Sequence, residues 1–182
     1  VMRTLSAAER SGRLMEELEN LGLDRAACEN TSGFLERQLK ATGILPDDKT
    51  IVVEHFRDST GSGQIMLHAL FGKRVNTPLS LLLQDAAQKL TGNPAGCVEE
   101  EDGILLYPYG ENVLPEGILF SIDTDKAREI LEAMLPATPV FNMTFRYNAS
   151  RALMMGMRSN GRQPLWMQRL RSTEMQESLI QE

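Results

Sequence analysis

The stretch Thr50-Ile51-Val52-Val53-Glu54-His55-Phe56-Arg57 decides the fold class, together with the residues that answer it: Gly61-Ser62-Gly63, then Gln64-Ile65-Met66-Leu67-His68-Ala69-Leu70. The first run is rich in β-branched residues, a glycine-rich break follows it, and the second run reads as its partner. That is the pattern of two antiparallel strands joined by a turn. A second hairpin is predicted further on, residues 97–101 and 104–107, with a two-residue turn at Asp102-Gly103, where glycine would supply positive φ. Between the hairpins, Leu79, Leu82, Leu83, Ala86, Ala87 and Leu90 recur at helical spacing,. Thr77-Pro78 is a suitable start for that helix and Gly92 a suitable stop. Residues 118–122 read as one more short strand, and Thr124 as the cap of a helix over residues 125–135.

Outward from this block the chain is helical. Ser6-Ala7-Ala8-Glu9 fits a capping box. Leu14, Leu18 and Leu21 form an apolar stripe that ends at Gly22, and Asp24 can cap a second helix ending at Gly43. Beyond Pro136 and Pro139 lie two further helical stretches, residues 142–157 and 164–180, joined by Ser159-Asn160-Gly161. The expected fold class is therefore α+β: antiparallel β-hairpins with helices packed on one sheet face, plus N- and C-terminal helices. The expected segments are 1–45, helical; 46–139, the α+β domain; and 140–182, a basic helical end.

The 182 residues are 42% hydrophobic and 24% charged, enough for a packed core and too short for more than one domain or two small ones,. Apolar runs such as Leu81-Leu82-Leu83 are too short to span a bilayer, so no membrane partner is expected. No secretory signal opens the chain, and Cys28 and Cys97 form no disulfide framework; both point to a cytoplasmic protein. Val1-Met2 is not a natural translation start, so processing or excision from a longer chain is expected. Two histidines leave almost no room for a Cys/His zinc site,.

Charge is unevenly spread. Residues 140–173 hold six arginines (Arg146, Arg151, Arg158, Arg162, Arg169 and Arg171) and no Asp, Glu or Lys, on a chain of net charge −6. That segment either meets an anionic partner or forms a solvated helical face paired with the acidic remainder. Trp166, the only tryptophan, sits between Arg162 and Arg169. It would stack on a base if the segment binds nucleic acid, or be buried between helices, the more common fate of a lone tryptophan.

Other constellations carry less. Gly72-Lys73 invites a phosphate-loop reading. The required upstream glycine is replaced by Leu67, however, and the Ser or Thr after the lysine by Arg74, so no ATP site is expected. Glu99-Glu100-Glu101-Asp102 reads as a solvated hairpin tip rather than a metal site, since alternate carboxylates point to opposite faces. His55 and His68 fall on paired strands and could be neighbours, but no partnered Ser or Cys nucleophile accompanies them. They read as half-buried strand histidines.

Three blocks together resemble a known family. The first is Leu45-Pro46-Asp47-Asp48-Lys49-Thr50-Ile51-Val52-Val53-Glu54-His55-Phe56-Arg57-Asp58, continuing to His68-Ala69-Leu70-Phe71-Gly72-Lys73-Arg74-Val75. The second is Asp102-Gly103-Ile104. The third is Phe145-Arg146-Tyr147-Asn148-Ala149-Ser150-Arg151-Ala152-Leu153 with Pro164-Leu165-Trp166-Met167-Gln168-Arg169-Leu170-Arg171. In order and spacing they are similar to the DEAD/H-associated region of Lhr-type ATP-dependent helicases. The resemblance implies a non-catalytic accessory domain C-terminal to the motor of a superfamily-2 DNA helicase with proposed roles in repair. Its implied partners are single-stranded nucleic acid and the motor and winged-helix domains of the same chain. ATP and magnesium are implied for the parent chain and no cofactor for this segment. The candidate nucleic-acid-binding residues are the six arginines and Trp166, chosen from the acid-free stretch 140–173. The alternative of another class is an autonomous acidic α+β module, similar in layout to a secretion chaperone, that holds a peptide; a small carboxylate-dependent hydrolase is a third.

Overall fold

A computed structural model of the chain describes residues 5, 7–8, 11–110, 113–155 and 164–180. The chain divides into two compact units, Val1–Thr124 and Asp125–Glu182. The sequence places a junction at 139/140; in the structure residues 125–139 fall in the same unit as the C-terminal helices.

In the first unit, helix α1 (Leu14–Asn20) and helix α2 (Arg25–Thr42) share a small apolar core of Leu14, Leu18, Cys28 and Leu35, with Leu45 behind them. Leu21, expected in that stripe, is exposed. Asp24 caps α2 as its sequence position predicts, its carboxylate accepting from the Ala27 N–H at 2.8 Å,. Gly43 ends the helix at φ 73°. Ser6 and Glu9, the two ends of the expected capping box, lie outside the described residues.

Strands β1 (Val52–Arg57), β2 (Gly63–His68), β3 (Ala95–Glu99) and β4 (Gly103–Pro108) form one antiparallel sheet in the order β1-β2-β4-β3. Both predicted hairpins are present. Register puts Ile65 opposite Leu106 and Leu67 opposite Ile104, so all four share one face. Helix α3 (Lys73–Thr91) covers that face with Leu83, Ala86 and Ala87, one stripe of its predicted periodicity,. All seven side chains are buried, and Ala95, Leu114 and Ile118 complete the core. Burying each large aliphatic side chain contributes about 1.5–3 kcal/mol, so this layer dominates the stability of the unit.

Local expectation and structure part company at four places here. First, α3 begins at Lys73, not at Pro78. The Glu101 carboxylate accepts from the Lys73 N–H at 2.9 Å and serves as the cap from a hairpin 28 residues away. Second, the tip of the β3–β4 hairpin is shifted by one residue. The Glu100 N–H donates to the Gly103 carbonyl at 2.8 Å, so Glu101-Asp102 form the turn and Gly103 belongs to β4 without positive φ. Third, residues Ile118–Ser121 make a 3-10 turn instead of a strand. Gly117 at φ 77° starts it, Ile118 goes into the core, and Phe120 is left 90% exposed. Fourth, His55 pairs with Ile65 and His68 with Val52, so the two histidines lie on opposite faces of the sheet,. His55 is exposed, and the half-buried His68 meets Glu54, Nε2 to Oε2, at 3.1 Å.

The β1–β2 turn is organised by Asp58. Its Oδ1 accepts from the Thr60 hydroxyl at 2.6 Å and from the Thr60 and Ser62 N–H groups, and its Oδ2 accepts from Gln64 at 2.6 Å. Those donors, the Thr60 hydroxyl foremost, hold its carboxyl below the usual range,. A depressed folded value means the stabilisation is complete above the unfolded aspartate value of about 3.9 and is lost as pH falls through the folded value. Asp58→Asn is therefore expected to lower the urea midpoint at pH 7, with the gap to wild type narrowing towards pH 3. An equal gap at both pH values would refute this account.

In the second unit, helix α4 (Ala127–Met134) leads through a 3-10 turn, Leu135–Ala137, to helix α5 (Pro139–Arg151) and helix α6 (Leu165–Ile180). Helix α4 starts at Ala127, two residues later than expected, with Lys126 at its N-cap and no side-chain cap, so Thr124 does not serve. Helix α5 starts three residues earlier, because Thr138 accepts from the Phe141 N–H at 3.2 Å and Pro139 takes the first helical position,. It stops at Arg151, short of the expected 157: Leu153 turns left-handed at φ 58° and the Met154 N–H closes onto the Ala149 carbonyl at 3.0 Å. Helix α6 packs on α5, and its buried Gln176 donates to the Pro136 carbonyl at 2.8 Å.

Candidate nucleic-acid interface

The helix pair α5–α6 brings two of the sequence-selected arginines together. On α5, Pro139, Asn142, Met143 and Arg146 recur every third or fourth residue and so share one side of the helix; on α6, Arg169, Ser172 and Thr173 do the same,. These seven residues line a groove of about 400 Å³ that contains no carboxylate. Arg146 is half-buried and Arg169 exposed. Among the described residues neither guanidinium is in an ion pair or a side-chain hydrogen bond. Ser172 is only 5% exposed. The Thr173 hydroxyl is engaged, donating to the Arg169 carbonyl at 3.1 Å.

The other selected residues lie elsewhere. Arg151 stands over the Tyr147 ring, 5.5 Å from its centre, a cation–π contact near the end of α5,. Arg171 is exposed but two residues from Arg169, hence on another side of α6,. Arg158 and Arg162 lie outside the described residues. Trp166 overturns the expectation of burial: it is 63% exposed, one helical turn before Arg169. Asn142, Ser172 and Thr173 were missed by reading charge alone; their three- and four-residue spacing from Arg146 and Arg169 was the available signal.

The other candidates, in the first unit, are occupied by the protein's own groups. Where a phosphate loop would present the start of α3 to a ligand, the Glu101 carboxylate holds the Lys73 N–H, and Lys73 Nζ pairs with Glu100 at 2.9 Å. The hydrogen bond and charge of Glu100 make the Lys73 ammonium keep its proton more firmly than usual. The Glu99–Asp102 cluster thus ties its hairpin to α3. Burial, followed by the Glu99 charge, pushes the Cys97 thiol up to about 12, so it is no nucleophile at neutral pH,.

Residues 45–181 match the family described as DEAD/H associated. The chain belongs to the DEAD/H-associated family. All three blocks of residues that carried the resemblance fall within this match. The relatives of this DEAD/H-associated chain include the Lhr helicase/uracil glycosylase of Escherichia coli, 35% identical over 150 residues. That similarity takes in 81% of this chain and 10% of the relative. The Lhr helicase/probable uracil glycosylase of Mycolicibacterium smegmatis is 34% identical over 159 residues, 86% of this chain and 11% of the relative. The chain thus spans about a tenth of the length of these relatives. The structure of the Mycobacterium smegmatis helicase Lhr bound to ssDNA and AMP-PNP superposes with a TM-score of 0.79 at 29% identity, over 99% of this chain and 23% of that one. Among the described residues no helix is long and apolar enough to cross a membrane.

Proposed function

We propose that this DEAD/H-associated chain is the accessory domain of an Lhr-type, ATP-dependent DNA helicase. In this reading it catalyses nothing itself, helps to frame the path of the single strand, and docks on the motor and winged-helix domains of the parent chain. ATP and magnesium belong to the parent's motor, and the parent is cytoplasmic. The observation that carries the proposal is the α5–α6 surface. It presents Arg146, Arg151, Arg169 and Arg171 with an exposed Trp166, in a stretch free of acidic residues from 140 to 173. Guanidinium groups can neutralise backbone phosphates while an exposed indole stacks on a base without regard to sequence. The resemblance to a helicase solved with ssDNA supports the same reading.

Exposure of Trp166 separates binding from folding. Trp166→Ala should weaken binding of a short labelled oligothymidine by about 1–3 kcal/mol at low salt while leaving the thermal midpoint nearly unchanged. Anisotropy titrations and circular-dichroism melts on the same two proteins measure both quantities. Unaltered affinity, or a fall in stability as large as the fall in affinity, would refute the role given to Trp166.

A further inference from the structure

The α5–α6 groove has the features of a specific seat rather than a diffuse basic surface. Two guanidinium-bearing residues from different helices line it, and no carboxylate does. Both guanidinium groups lack partners among the described residues. Ser172, only 5% exposed, lines the same groove. Arginine forks suit the paired non-bridging oxygens of a phosphodiester, and a hydroxyl suits a third contact. The apolar slot lined by Phe141, Phe145, Ala149 and Ala152 is on a different side of α5, so base and phosphate of one nucleotide would not be shared between the two,.

We propose that this groove seats a single backbone phosphate of a nucleic-acid strand, held jointly by Arg146, Arg169 and Ser172. The identification of the strand rests on the function proposed above; the seat itself rests on the groove. Because both arginines would grip one phosphate, their effects are coupled, and that sets the seat apart from a generally positive surface.

The test uses the 182-residue chain, a labelled oligothymidine across a series of salt concentrations, and inorganic phosphate as a second probe. Arg146→Ala and Arg169→Ala should each weaken strand binding about tenfold and Ser172→Ala about threefold. The double arginine variant should be hardly weaker than either single one, and its log–log salt slope should be shallower by about 0.7, the value for one phosphate on a single strand. Arg171→Ala, outside the groove, should change binding far less. Arg146→Lys keeps the stem and the charge, and partial recovery there ties the loss to the fork rather than to folding. Inorganic phosphate should raise the thermal midpoint above that in chloride of equal ionic strength, and Arg146→Ala should abolish the rise. Additive losses with a slope change near 1.4, equal losses in Arg171→Ala, or wild-type binding in both groove variants would overturn the seat while leaving nucleic-acid binding standing. A phosphate effect that needs Arg146, without any strand binding, would uphold the seat and overturn the helicase-accessory reading. No response to either probe would overturn the seat.

Discussion

Gly103→Val should lower the unfolding free energy by about 3 kcal/mol, at the upper end of what overpacking costs. Gly103 lies in β4 opposite His68, and its neighbours leave no room for a side chain. A Cβ there would stand 2.6 Å from the Leu67 carbonyl oxygen and 2.6 Å from the Met66 Cε. The methionine can swing away. The carbonyl cannot, because Leu67 is a fully buried core residue of β2, which is paired on both sides. The reason for glycine is thus close approach of two strands, and not the positive φ expected of an Asp-Gly turn. Gly63→Ala is the control: it begins β2, and a Cβ there would meet nothing within 4 Å. Urea denaturation of both variants decides the matter. A Gly103→Val protein within about 0.5 kcal/mol of wild type would show that the sheet relaxes around the added methyls.

Asn76→Asp should be as costly, about 3 kcal/mol, although it barely changes shape. Asn76 is completely buried in the first turn of α3. Its Nδ2 donates to the Ala69 carbonyl at 2.9 Å and to the Glu100 carbonyl at 2.8 Å, fastening the end of β2 and the β3–β4 tip to the helix that covers the sheet. Aspartate would replace the donors with a carboxylate aimed at two carbonyl oxygens, in a place where charge is poorly solvated. Part of the loss should return as the pH is lowered, since a protonated carboxyl supplies one donor. Chemical denaturation at pH 7 and pH 4 tests both statements. If packing alone mattered, Asn76→Asp would be tolerated and Asn76→Ala would not. An Asn76→Asp protein as stable as wild type at pH 7 would contradict the account.

What could be read along the chain was whatever depends on neighbours a few residues apart. The β1–β2 hairpin followed from β-branched residues and a glycine-rich break, the face of α3 from Leu83, Ala86 and Ala87, and the start of α2 from Asp24. Family membership was legible for the same reason, as ordered runs of residues within 45–181. Arg146 and Arg169 stood out because a stretch without a single acidic residue is visible in composition.

The remainder depended on groups distant in sequence. Helix α3 begins five residues before its proline because the Glu101 carboxylate arrives from another hairpin to satisfy an N–H that no local side chain could reach. Residues Ile118–Ser121 read as a short strand, yet they coil after Gly117 and Ile118 joins the core. Trp166 was expected to be buried because a lone indole usually is, but exposure depends on which side of α6 meets α5, and that is settled by packing around Ser172 and Gln176. Sequence by itself determined the α+β class, the family and the acid-free run of arginines. Only the tertiary structure decided that Arg146 and Arg169, 23 positions apart, line one groove with a buried serine, because helix-to-helix packing selects one side of each helix and a linear charge count contains no sides.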